Sequence, residues 1–214
     1  MAWEGPPAPY RIETERLVVR CWEPRDAAAL TEAIDESVEH LSPWMPWMHH
    51  EPQTVEDRVE LLRRFRGEFD LGTDFVYGIL APDDERVIGG SGLHTRVGDA
   101  AVEIGYWIRA SETRKGYASE AVAALTRAAF AWCGVDRVEI KVDPENEPSL
   151  GVPRRLGFVE EATLRRRQLP LTEGAERRDV VVFSMLVEEA AGSPIAAVPF
   201  TAYDAAGRPT SRPV

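Results

Sequence analysis

Between Ala101 and Val142 the hydrophobic period of this chain changes twice. Ala101–Ile108 (AVEIGYWI) is a β-rich apolar run, and Arg137–Val142 (RVEIKV) alternates with a period of two. Between them Ala118, Ala121, Val122, Leu125, Ala129 and Trp132 fall on one helical stripe, which Gly134 closes as a C′ glycine. A strand, a glycine turn, a helix and a strand in that order make a βαβ unit. A crossover of this length joins parallel strands, so the fold class is α/β with a central parallel pair.

The flanks add antiparallel structure. Arg16–Glu23 reads as a strand ended by Pro24, and a helix follows with apolar residues at Ala29, Leu30, Ala33, Ile34 and Val38. Thr54 and Asp57 have the spacing of a capping box at the start of a second helix. Phe75–Leu80, Val87–His94 and Ala101–Ile108 are strands joined by short turns, the arrangement of antiparallel neighbours. A short helix at Glu147–Leu156 and late strands near Val159–Leu169 and Asp179–Val187 complete the pattern, with a polar turn at Thr172–Glu176. The expectation is one domain over 10–189, a mixed and mostly antiparallel sheet flanked by helices. Residues 1–9 read as a flexible lead-in, and the Ala/Gly/Pro/Ser-rich 190–214 as a flexible tail.

Composition narrows the partners. The 214 residues carry a net charge of −11, which repels phosphate backbones and anionic lipids, so neither nucleic acid nor membrane is an expected partner. No apolar run approaches the ~18 residues of a membrane span. The N-terminus has neither a basic n-region nor an apolar h-region, so no signal peptide is expected. Cys21 and Cys133 lack zinc-site or disulfide-framework spacing, which fits a reducing cytoplasm. Cys133 ends an apolar helix and reads as core. His49 and His50 have no partner motif, so no metal is expected.

The chemistry concentrates at Arg114-Lys115-Gly116-Tyr117-Ala118-Ser119, which opens the long helix after a strand. A helix N-terminus presents unpaired N–H groups and a positive dipole end. Glycine lets an anion approach the backbone, and Arg114 and Lys115 add positive charge, so the turn suits a pyrophosphate. It is neither a Walker A nor a Rossmann fingerprint.

Arg114–Ala121 (RKGYASEA) resembles motif A of the GNAT acetyltransferases, with Thr113 standing where the motif has Arg or Gln. The preceding EIGYWI strand, Asn146-Glu-Pro-Ser149, Leu156-Gly-Phe158, Thr14-Glu-Arg-Leu17 and the Leu41–Trp47 loop are together similar to the RimJ/RimL-like branch of that superfamily. The resemblance spans roughly Tyr10–Glu188. It implies a single GNAT-like domain that uses acetyl-CoA to acetylate an amine, acting as a monomer or homodimer.

It also implies roles for residues. Arg114–Ser119 would hold the pyrophosphate, and Asn146 would bind the pantetheine arm. Backbone groups at Trp107 and Ile108 would meet that arm where two central strands splay apart. Ser149 would lie near the sulfur as a proton donor. Glu103 occupies the position of a glutamate used as base in some members. Its own sequence context fits equally an exposed strand carboxylate or one paired to an arginine. Asn146 and Ser149 also suit helix capping. Trp44 and Trp47 either line the acceptor pocket or pack their loop onto the core. Arg165–Arg167 with Arg177 and Arg178 read as a solvated basic face or a grip on an acidic partner. The acceptor expected is a protein or peptide N-terminal α-amine. The alternatives are a small-molecule or antibiotic amine, or an acyl-CoA-binding module without catalysis.

Overall fold

The computed structural model describes residues 7–171 and 174–210. Most of the expected lead-in, part of the Thr172–Glu176 turn and the last four residues of the expected tail lie outside that range.

Ten strands form one sheet among the described residues. In chain order they are β1 Arg11–Glu13, β2 Val18–Cys21, β3 Phe75–Leu80, β4 Val87–His94, β5 Ala101–Ile108, β6 Arg137–Val142, β7 Val159–Gln168, β8 Arg178–Leu186, β9 Thr201–Tyr203 and β10 Pro209–Thr210. Across the sheet they run β10-β9-β1-β2-β3-β4-β5-β6-β8-β7. Every neighbouring pair is antiparallel except β5–β6, which the helical crossover makes parallel. The helices are α1 Ala27–Asp35, α2 Val38–Leu41, α3 Val55–Leu71, α4 Tyr117–Ala128, α5 Glu147–Leu156 and α6 Val187–Ala190. The Thr54–Asp57 capping box forms at the start of α3, and α3 ends at Gly72 in the left-handed region.

Two apolar layers sandwich the sheet. Leu30, Ala33 and Ile34 of α1 and Leu62 of α3 pack with Trp22, Val76 and Trp107. Ala121, Val122 and Leu125 of α4 pack with Val102, Ile104 and Ile108. The alternation of β5 sends its even and odd residues into different layers.

The expectation of a loose tail is corrected over 190–210. The segment carries a 3-10 turn at Pro194–Ala197 and then β9, which pairs with β1 and extends the sheet. Ile195 and Ala202 are fully buried. The Phe200 ring lies 5.8 Å from that of Trp132 and 4.9 Å from the Arg127 guanidinium. The indole Nε1 of Trp132 donates to the Thr210 hydroxyl at 2.8 Å. A few apolar residues in a small-residue background suffice here, because β1 offers an open edge and the end of the α4 segment an aromatic surface.

One feature of the sheet positions the site. β5 and β6 pair only at Ala101↔Arg137, Val102↔Val138 and Glu103↔Glu139, although both strands continue. They part after Glu103. The Arg109 N–H donates to the Ile88 carbonyl at 2.8 Å, which fixes the alternation along β5. Gly105 and Trp107 exchange hydrogen bonds with β4, so the backbone groups of Ile104, Tyr106 and Ile108 point the other way, into the space β6 has left.

Candidate active site

A cavity of about 990 Å³ spans this parting of the strands. Glu103, Trp107, Asn146, Ser149, Trp44 and Trp47 all line it, so six residues singled out in the sequence meet in one place. Its floor is bare sheet at Gly90 and Gly105. Above the floor, the Trp47 and Trp107 rings meet edge to face at 6.1 Å. The aromatic loop is anchored from below: Arg58 of α3 and Glu51, both buried, form an ion pair at 2.6 Å. The two readings combine at Trp47, which packs on the α1–α3 layer and lines the cavity at once, while Trp44 lines the cavity.

Glu103 is buried, with Arg96 at 2.5 Å on one carboxylate oxygen and Lys141 at 2.8 Å on the other. Burial alone would raise its pKa. The hydrogen bonds and charges of Arg96 and Lys141 outweigh that and hold it below the ordinary glutamate range. A carboxylate held in this way is a weak proton acceptor. The geometry thus favours the ion-paired reading of Glu103 over the base.

Asn146 caps α5, its side-chain oxygen accepting from the Ser149 N–H at 3.2 Å, and it lines the cavity as well. The Ser149 hydroxyl lies 3.0 Å from the Tyr106 hydroxyl, which also donates to the Ser149 carbonyl at 3.0 Å. Burial pushes the Tyr106 phenol up to about 12, against the opposing effect of the Ser149 bond. Sequence reasoning passed over Tyr106. Its signal was a hydroxyl on the otherwise apolar even face of AVEIGYWI.

The backbone expectation at Trp107 and Ile108 is half corrected. The Trp107 carbonyl lies against Gly89 of β4, only 2.2 Å from where a Cβ there would sit. Trp107 thus contributes its indole to the cavity, and Tyr106 joins Ile108 in presenting backbone groups to the gap.

The Arg114–Ser119 turn does not line this cavity. Gly116 and Ser119 border a second hollow of about 450 Å³ together with Arg16 and Glu120. Arg114 and Gly116 adopt φ of +60° and +85°, so the turn coils tightly before α4, whose first turn leaves its N–H groups facing outward. Lys115 is tied at 2.9 Å to Glu112, which is buried and also bonded to Arg86, so its charge is less free than the sequence suggested. Two other arginines reach the turn. Arg16 donates to the Lys115 carbonyl at 3.0 Å, pairs with Glu120 and stacks 4.9 Å over Tyr117. Arg155 donates to the Ser119 hydroxyl at 2.9 Å. Arg16 was legible only as part of Thr14–Leu17, and Arg155 carried no signal. Ala118 packs against the main core.

His49 and His50 are exposed, and no cluster suited to a metal ion occurs among the described residues. No helix among them is long and apolar enough to cross a membrane.

Known proteins resemble this chain in sequence and fold. A family model described as an acetyltransferase (GNAT) domain matches residues 16–159. An uncharacterized N-acetyltransferase, p20, of Bacillus licheniformis is 32% identical over 185 residues, 85% of this chain and 98% of that protein. The ribosomal protein uS5-alanine N-acetyltransferase of Escherichia coli (strain K12) is 30% identical over 156 residues, 71% of this chain and 79% of that protein. Among solved structures, Mycobacterium smegmatis RimJ in complex with CoA-disulfide matches with a TM-score of 0.75 at 26% identity, covering 90% of this chain and 94% of the other.

Proposed function

The chain belongs to the GNAT acetyltransferase family, and on that premise we propose that it moves an acetyl group from acetyl-CoA to the α-amine of a protein or peptide N-terminus. The observation that carries the reading is the parting of β5 and β6 beneath the cavity, which leaves the backbone of Tyr106 and Ile108 without a strand partner. The names of the uS5-alanine enzyme of E. coli and of the RimJ complex with CoA-disulfide support the acceptor and the donor.

The pyrophosphate sits on the N-terminus of α4 at Arg114–Ser119, with Arg16 and Arg155 beside it. The pantetheine arm runs along the open edge of β5 past Asn146. The acceptor enters on the glycine floor under Trp44, Trp47 and Trp107. Its neutral amine attacks the thioester carbon, a C–N bond forms and the C–S bond breaks. Open N–H groups of β5 stabilise the oxyanion. The Ser149 hydroxyl, backed by Tyr106, gives a proton to the departing thiolate. An α-amine, with an unperturbed pKa of about 7.7–8.0, is partly neutral at physiological pH, whereas a lysine amine near 10.4 is not. Cys21 and Cys133 are both buried, which fits a reducing cytoplasm.

The edge-to-face Trp47–Trp107 wall favours a second reading, a small-molecule amine held between aromatic rings. Mass spectrometry after incubation with acetyl-CoA separates the two. The substrates are a peptide with a free N-terminal alanine, the same peptide N-blocked with an internal lysine, and a small aliphatic amine. Acetylation of the free N-terminus supports the main reading, and acetylation of the small amine alone supports the second. Binding of acetyl-CoA with no product from any of the three favours a non-catalytic module.

A further inference from the structure

The glycine floor holds a group that the scheme above leaves unused. On the face of the sheet that carries Glu103, Gly105 and Trp107, register places His94 opposite Glu103, Gly92 opposite Gly105 and Gly90 opposite Trp107. Asp74, one residue before β3, lies next to His94 by the β3–β4 register. The His94 Nδ1 is 2.9 and 3.0 Å from the two Asp74 carboxylate oxygens. A carboxylate can only accept, so Nδ1 carries a hydrogen, and in the neutral ring the lone pair is on Nε2.

Nε2 points where the chemistry needs it. A Cβ at Gly92 would lie 2.6 Å from Nε2, and one at Gly105 would lie 3.4 Å away. The imidazole therefore lies flat over two glycines, and only glycine at 92 leaves it room. Gly105 follows the last paired residue of β5, Glu103, by two positions, so Nε2 is directed at the parting of the strands. Among the described residues Nε2 has no hydrogen-bond partner. His94, Asp74, Glu103, Ser149 and Tyr106 line one cavity.

We propose that His94 is the general base of the transfer and that Asp74 is its positioning residue. The inference rests on the acetyltransferase reading above. As the amine nitrogen bonds to the thioester carbon, its surplus proton passes to the His94 Nε2. The C–S bond breaks, the thiolate takes its proton from the Ser149 hydroxyl, His94 releases its proton to water, and Ser149 regains one from water, so that the cycle closes. Asp74 fixes the tautomer and accepts from the imidazolium that forms, the arrangement by which carboxylate–histidine pairs work in other acyl transfers. Glu103 then serves as the ion-pair partner of Arg96 and Lys141. The other charged or titratable groups that line the cavity with His94 and Asp74 include Arg96, Glu103, Lys141 and Asp143 on the sheet side, Asp57, Arg58, Glu60 and Arg64 of α3, and His50 of the aromatic loop.

Three variants test the assignment: His94→Gln, Asp74→Asn and Gly92→Ala, whose methyl group displaces the ring. Each is checked for folding by its melting temperature, for acetyl-CoA binding by calorimetry and for turnover on the amine the wild type acetylates. The expected result is unchanged acetyl-CoA affinity in all three and a kcat roughly 10²–10⁴-fold lower for His94→Gln. The acidic limb of its pH profile should also be lost. Asp74→Asn should shift the imidazole ¹⁵N resonances of His94 toward the other tautomer and lower kcat less than His94→Gln with KM for the amine unchanged, a split that a merely structural role would not give. A folded His94→Gln variant within threefold of wild-type kcat, with the acidic limb intact, would overturn the proposal. A wild type that binds no acetyl-CoA or turns over no amine would instead overturn the reading beneath it.

Discussion

At the scale of single residues, Glu103 has a measurable consequence. Its pKa is lowered in the folded protein, because the bonds to Arg96 and Lys141 outweigh the cost of burial. A depressed carboxyl stabilises the fold above its unfolded pKa of about 4.3, and that contribution fades as pH falls through the folded value. Glu103→Gln should therefore lower stability by roughly 1.5–3 kcal/mol at pH 7, the scale of a charged hydrogen bond. The gap to wild type should close below about pH 4. Thermal melts of both proteins between pH 3 and 7 check this, and a gap independent of pH would contradict it. The partners of Glu103 were not legible in the sequence. Arg96 lies in the β4–β5 connection and Lys141 on the crossover strand, and only the sheet register brings them together. The same holds for His94 and Asp74, twenty positions apart in the chain. The turn at Arg114–Ser119 was legible as a helix start because its signal is local, a glycine just before α4.

At the scale of elements, the reading succeeded where a strand or helix carries its own period. β3, β4, β5, β6 and α5 begin and end where the sequence pattern placed them. It failed at β1, β9 and β10, strands of two or three residues, too short to show a period of their own. The β1–β9 pairing that joins them is non-local, and no window of sequence contains it. Phe200 tests the tail's role. Phe200→Ala removes the contact with Trp132 and the seat of Arg127. Because Phe200 is only partly buried, the expected loss is about 1–2 kcal/mol, less than for a full core phenylalanine. In a chain of this size that corresponds to a melting temperature lower by roughly 2–8 °C, with acetyl-CoA affinity unchanged. The aromatic loop has a counterpart in the buried Glu51–Arg58 pair. Glu51→Ala leaves the Arg58 charge uncompensated and should cost about 3–5 kcal/mol. It should also loosen the acceptor wall, so KM for the amine rises more than KM for acetyl-CoA. Initial-rate kinetics with each substrate varied in turn would show the split.

At the scale of the whole molecule, the sheet works as a partition with one opening. α1 and α3 roof the side where the glycine floor lies, and α4 and α5 close the other. The two layers communicate through the gap between β5 and β6. The donor hollow at α4 and the acceptor cavity are thus separate concavities that the proposed thioester joins. This layout was legible as a βαβ unit among antiparallel strands, whereas the length over which its parallel strands stay paired was not. The periodicity of two strands says that they are strands, and nothing about where they separate.

The most direct measurement is a calorimetric titration with acetyl-CoA of the wild-type protein and of Gly116→Glu. That substitution sets bulk and negative charge at the N-terminus of α4, where a Cβ would meet only the end of the Arg16 side chain. The left-handed backbone at 116 adds a strain of about 1–2 kcal/mol, so a melting curve accompanies each titration. The account expects one acetyl-CoA per chain bound by the wild type and none by the folded variant. A wild type that does not bind, or a variant that binds equally well, would contradict the placement of the donor on which the account rests.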